Sequence, residues 1–167
     1  MILTGPEIIK EYKKGHLTIE PFDQTLVNPN SYNYRLGEQL QVFCGVKDNK
    51  QLFEKITIPE SGYILKPHQM YLGHTFEILG SDTYASWLIG RSSLGRLGLF
   101  LQISANLGHT GAAHSWTLEI VCTIPFIVYP RMKIGQISFW ENYGDVNRYN
   151  GLYAKFNTPK TSILNDD

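Results

Sequence analysis

The chain has 167 residues, 43% of them hydrophobic and 18% charged, which is enough for one compact domain with a sizeable core and too little for two. With 15 Lys and Arg against 15 Asp and Glu the formal net charge is zero, which excludes the broad cationic face that nucleic acid or an anionic membrane would require. Two cysteines, Cys44 and Cys122, form no C-x-x-C pair, no run reaches the roughly 18 apolar residues of a membrane span, and Met1-Ile2-Leu3-Thr4 runs into Gly5-Pro6-Glu7 without a secretory pattern. A cytoplasmic chain with two reduced thiols and no structural zinc is expected.

The first predicted element is a helix. Thr4 suits the N-cap, Glu7 stands three residues on as the partner of a capping box, Ile8, Ile9 and Tyr12 give an apolar stripe, and Gly15 ends it. From Asp23 to Asn33 the Asn-Pro-Asn-Ser run predicts a loop. Beyond Leu40, short runs of β-branched and aromatic residues alternate with turn residues about every ten positions. They predict strands at Leu40–Cys44, Leu52–Ile58, Tyr63–Leu65, Met70–Ile78, Tyr84–Ile89, Leu99–Ser104, Trp116–Cys122, Phe126–Tyr129 and Ile134–Trp140. That spacing points to an all-β sandwich, jelly roll or barrel-like fold with few, short helices. Gly90 to Gly98 interrupts the rhythm with a single helical turn opened by serines. The tail, Tyr149 to Asp167, is polar and aperiodic, so it is expected to be frayed or ordered by a ligand.

Two places can carry chemistry. The turn at Gly90-Arg91-Ser92-Ser93-Leu94-Gly95-Arg96-Leu97-Gly98 combines outward amides, two hydroxyls and two guanidinium groups, which suits a phosphate, although an ordinary capped turn would look the same. In Ser115-Trp116-Thr117-Leu118-Glu119-Ile120-Val121, strand alternation puts Glu119 on the face opposite Leu118 and Ile120. A partly dry pocket there would disfavour the charged carboxylate and suit it to moving protons; a solvated outer-face Glu is the plainer alternative. His16, His68, His74, His109 and His114 are scattered. Only His109 and His114 stand close, with no third metal ligand in sight, and the zinc deaminase signature H-x-E with P-C-x-x-C is absent.

At these residues the sequence resembles the dCTP deaminase family, a branch of the dUTPase-like superfamily. Gly90 to Gly98 follows the family's G-R-S-S-x-x-R-x-G element, and the likeness runs without a gap through Ala105 to Thr117-Leu118-Glu119. Met1-Ile2-Leu3, Pro29 to Gly37, Leu65-Lys66-Pro67 and Tyr129-Pro130 with Ile134-Gly135-Gln136 fall where the family has similar residues. The resemblance implies a single dUTPase-like domain over residues 1–167, a distorted β-barrel related to the jelly roll. It implies a homotrimer with active sites between subunits and zinc-independent hydrolytic deamination of dCTP to dUTP and ammonia. Glu119 would be the proton shuttle, Arg96 and Ser92 would polarise and position it, and the Ala105 carbonyl would hold the attacking water. Arg91, Ser92, Ser93, Arg96 and Thr117 would bind the nucleotide, with Tyr149 and Lys155 in a tail, about 149–167, that closes over the phosphates. Mg²⁺ would arrive with the triphosphate. A dUTP pyrophosphatase, a bifunctional deaminase-pyrophosphatase and a non-catalytic nucleotide-binding paralogue remain as alternatives.

The chain departs from the family pattern at four places. His109 stands where an acid is usual, which disfavours dUTP hydrolysis. Ala112, Ala113 and His114 replace an aromatic stretch beside the deoxyribose, Asn33 replaces an Asp, and Asn157-Thr158-Pro159 replaces a tail Gln.

Overall fold

The computed structural model describes residues 1–167 apart from 102–104, 152, 154–155 and 166–167, with residue 165 described by its backbone alone. The chain enters α1 (Gly5–Lys13) with a proline in the first turn, where an amide would have had no intrahelical partner. Thr4 holds the N-cap position in extended geometry, but its side chain makes no capping bond. Glu7 instead takes Lys10 Nζ at 2.9 Å on the exposed face, so the expected capping box does not form. Ile8 is fully buried, Ile9 and Tyr12 half-buried, and the Tyr12 ring stacks on Phe22 with centroids 4.1 Å apart.

Among the described residues fourteen strands follow: β1 (Thr18–Glu20), β2 (Tyr32–Arg35), β3 (Gln39–Lys47), β4 (Lys50–Thr57), β5 (Tyr63–Leu65), β6 (Tyr71–His74), β7 (Ile78–Gly80), β8 (Ala85–Gly90), β9 (Leu99–Leu101), β10 (Leu107–Gly108), β11 (Ala113–His114), β12 (Thr117–Cys122), β13 (Phe126–Val128) and β14 (Lys133–Trp140). A single turn of helix, α2 (Ser92–Gly95), lies between β8 and β9 as the serines predicted. The described strands form a five-stranded sheet β4-β3-β6-β12-β9, a four-stranded sheet β10-β8-β14-β2, a three-stranded sheet β1-β7-β11 and the pair β13-β5. Together with the short helices this is the mainly β fold expected from the sequence.

Three expectations are corrected. The predicted strand Met70–Ile78 breaks after His74, because Thr75 turns away to donate its amide to Trp116 O and its hydroxyl to Glu77 O, and β7 then joins a different sheet. The Asp23–Asn33 loop holds a 3-10 turn at Gln24–Leu26, capped by the Asp23 carboxylate on Thr25 N, and its last two residues already belong to β2. The described part of the tail is tied to the body of the chain: Gln41 Nε2 donates to Pro159 O at 2.5 Å, Ser115 N to Asn157 Oδ1 at 3.0 Å and Tyr149 N to Thr110 O at 2.8 Å. Cys44 is exposed, Cys122 is buried and both are free thiols, as expected.

Alternation builds the core. Along β12 Leu118, Ile120 and Cys122 point inward and are buried, whereas Thr117, Glu119 and Val121 are half-buried on the other face. Tyr32 and Tyr34 of β2, Tyr71 of β6, Leu88 of β8 and Ile137 and Phe139 of β14 are all fully or almost fully buried in the same cluster. Asn33 is buried as well, with its amide nitrogen donating to Leu26 O and Asn28 Oδ1, so it braces the preceding loop from within.

Candidate active site

The outer face of β12 forms one wall of a cavity of about 440 Å³. Thr117 and Glu119 line it from that strand, and Leu72, which faces Glu119 in the antiparallel register, lines it from β6. The β3–β4 hairpin turns at Asp48 and Asn49, both with positive φ, a two-residue turn whose twist matches the strands. It carries Gln51 and Phe53 to the rim. Ala105, Leu107 and His109 approach from the other side, and Trp116 seals the interior, its indole N–H donating to Leu79 O at 2.8 Å.

The segment that follows β10 is held close by glycines. A Cβ at Gly80 would collide with the Ala112 carbonyl, and Gly111, at φ +96°, lets the chain turn with Arg148 and Tyr149 packed directly against it. Ala112 is thereby buried on the cavity lining where the family pattern has an aromatic. Aromatic surface comes instead from the tail: Tyr149 lies stacked on His109, ring centroids 5.2 Å apart and 25° between planes, and Tyr153 and Phe156 also line the cavity.

His114, buried at the cavity floor, has Nδ1 3.1 Å from Ser115 O and its ring 4.2 Å from that of Trp116. Burial pushes its pKa down, against hydrogen bonds to the backbone of Ser115 and Phe156 that favour the charged form. Opposite Thr117, His74 is likewise pushed down by burial, against its contact with Thr75 O, and its Nε2 finds no partner among the described residues. Both rings serve as neutral structural groups near pH 7.

Of the residues anticipated from the sequence, Glu119, Ala105, Thr117 and Tyr149 meet at this one cavity. The Thr117 hydroxyl oxygen already accepts Lys160 N at 3.2 Å, which fastens the tail across the opening. Arg91, Ser92, Ser93 and Arg96 do not line it. They belong to α2, beyond the end of β12 marked by the Leu99–Cys122 pairing, three strand residues or about 10 Å along from Glu119. Ser92, Ser93 and Arg96 are exposed, and Arg91 donates to Lys133 O at 3.3 Å. Lys155 lies outside the described residues. The sequence reading missed Phe53 and Leu72, which strand alternation puts on the same face as Glu119, Trp116, which alternation puts on the opposite face, and the tail groups Tyr153, Phe156 and Lys160, for which no periodic signal exists.

Residues 2–142, which include Glu119, Ala105 and Thr117 of this cavity, match a family model described as dCTP deaminase-like. The chain belongs to that family. A dCTP deaminase, dUMP-forming, of Clostridium botulinum is 40% identical over 171 residues, covering 100% of this chain and 98% of the relative. One from Hathewaya histolytica is 42% identical over 173 residues, covering 100% and 99%. The crystal structure of 2'-deoxycytidine 5'-triphosphate deaminase from Agrobacterium tumefaciens superposes with a TM-score of 0.70 at 20% identity, over 87% of this chain and 49% of that one, a likeness of fold. This member of the dCTP deaminase-like family thus has relatives whose names give dUMP as product, whereas the resemblance had implied dUTP.

Proposed function

We propose that the protein hydrolyses dCTP at two bonds, dCTP + 2 H₂O giving dUMP, ammonia and diphosphate, with no zinc in the deamination. The observation that carries this reading is the convergence of Glu119, Ala105 and Thr117 on one cavity in a chain of the dCTP deaminase-like family. The dUMP-forming relatives, alike over the full length of the chain, support the second hydrolysis.

In this reading the Glu119 carboxylate takes a proton from a water held by the Ala105 carbonyl, and the water oxygen adds to C4 of the cytosine ring. The same carboxyl then returns protons to the ring and to the amine, and the C4–N bond breaks to release ammonia. Among the described residues no group of three or more His, Cys, Asp or Glu stands together. Mg²⁺ would arrive with the triphosphate and would supply charge neutralisation there, with the nucleotide held by the residues named below.

The cations this chemistry needs come, in this proposal, from α2 of a second copy. Arg96 and Ser92 of that copy would face Glu119, and Arg91 and Ser93, with Lys155 of the tail, would hold the phosphates. Two features support a homo-oligomer, which the resemblance makes a trimer. The exposed α2 is flanked by apolar Leu97 and Phe100, 54% and 40% exposed. On β8 and β14, Trp87, Ile89 and Trp140 form a second open apolar face around a hollow of about 460 Å³.

Purified protein given dCTP and Mg²⁺ is expected to release ammonia and diphosphate in equal amounts and to leave dUMP. Diphosphate from dUTP with no ammonia from dCTP would overturn the deaminase reading, and ammonia with dUTP as the final nucleotide would overturn the second hydrolysis.

A further inference from the structure

Two hydrolyses of one nucleotide require water to be activated at two places, the ring carbon and the α-phosphorus, which sit at opposite ends of a nucleoside. Glu119, on β12 beside Leu72, serves the first. The described side chains that line the cavity offer few groups able to take a proton from the second water near neutrality: two imidazoles, the Tyr149 and Tyr153 phenols and the Lys160 ammonium. Imidazole is the side chain suited to general-base work near neutrality, which leaves the two histidines.

The two imidazoles are held differently. His114 is buried, with one nitrogen on Ser115 O and a hydrogen bond to the backbone of Phe156, so its ring is committed to tying the cavity floor to the tail. His109 is exposed at the cavity edge and is fixed by a ring face, not by a ring nitrogen: Tyr149 stacks on it at 5.2 Å, and the Tyr149 amide is itself anchored on Thr110 O at 2.8 Å. Neither His109 nitrogen is engaged by a described residue, so both can reach water. Beside it the Arg148 backbone and Cβ pack on Gly111.

We propose that His109 is the general base of the second hydrolysis. This deepens the function proposed above and rests on it. The His109 imidazole takes a proton from a water whose oxygen bonds to the α-phosphorus. The bond from the α-phosphorus to the bridging oxygen breaks, its electron pair leaves with diphosphate, and His109 passes the proton to solvent. Tyr149 is a positioning residue that holds the ring at the rim. An imidazole thus stands in for the acid that the family pattern places here.

The test follows ammonia, diphosphate and the final nucleotide separately, with Mg²⁺ and dCTP, for the wild-type protein, H109Q and H109D. Wild-type protein is expected to yield dUMP. In H109Q, ammonia release stays within about threefold of wild type while diphosphate release falls about 100-fold or more and dUTP accumulates. H109D restores diphosphate release and moves its acid limb to lower pH, since a carboxylate stays unprotonated where an imidazole does not, while the pH profile of ammonia release is unmoved. H109Q that forms dUMP at the wild-type rate overturns the role of His109. Wild-type protein that stops at dUTP overturns the two-bond reading itself, and the two failures are read from different proteins.

Discussion

Glu11 and Glu77 lie in the framework of the fold, Glu119 at the wall of its cavity, and the contrast shows that burial alone does not mark a reacting carboxylate. Glu77, fully buried, accepts the Arg35 amide at 2.9 Å and Arg35 Nε at 2.6 Å, joining β2 to the approach to β7. Glu11, 3% exposed, gathers Lys14 at 2.6 Å, His16 at 2.6 Å and the Tyr84 hydroxyl at 2.9 Å, locking α1 onto the chain that leads into β8. Each of these carboxylates is committed to donors that fix one element on another. Glu119 is only half-buried and faces open volume, with its neighbours Leu118 and Ile120 holding the strand in the core. A framework carboxylate should therefore govern stability, and the cavity carboxylate turnover.

The largest effect that sharpens this contrast is at Glu77. E77A leaves the Arg35 guanidinium facing a buried gap and is expected to cost about 3–5 kcal/mol in urea unfolding, with ammonia release per folded molecule unchanged. A loss of turnover without a loss of stability would break the distinction between framework and cavity.

A smaller effect, with a pH signature, belongs to Glu11. Lys14 first, then His16, hold its pKa down to about 2 from an ordinary 4.5. A depressed carboxyl stabilises the fold at pH values above its unfolded-state pKa and loses that contribution as pH falls from about 4.5 to about 2. Burial shifts Glu77 upward instead, ahead of the lowering effect of Arg35, so protonation there favours the folded state and its contribution has the opposite sign as pH falls. E11Q is expected to cost about 1–3 kcal/mol at pH 7 and to flatten the acid loss of stability between about pH 4.5 and about pH 2, read as unfolding midpoints across that range. An acid limb as steep as that of the wild type would remove Glu11 from its cause.

Much of the fold was legible because alternation and turn residues are local. The Tyr63–Leu65 strand was read to the residue, and the long runs that became β3, β8, β12 and β14 were found within a few residues of their ends. Two-residue strands such as β10 and β11 carry no pattern of their own and exist because Gly80 and Gly108 allow close approach. At the site, the Glu119 face followed from alternation in β12, and the serine turn from its residues. The tail could not be read, since Asn157, Pro159 and Lys160 find partners more than 40 residues away, at Ser115, Gln41 and Thr117. Those same residues stand where a family Gln was missing. The separation of α2 from Glu119 within one chain was not legible in the residues themselves, because sequence order gives no distances in the fold.

E119Q, assayed for ammonia from dCTP beside a direct measurement of dCTP binding, goes to the centre of the account. A fall of about 10³-fold in ammonia release, with binding within a few-fold of wild type and the unfolding midpoint unmoved, is what a proton-shuttling carboxylate at the cavity wall predicts. Ammonia released at the wild-type rate by a folded E119Q protein would contradict it.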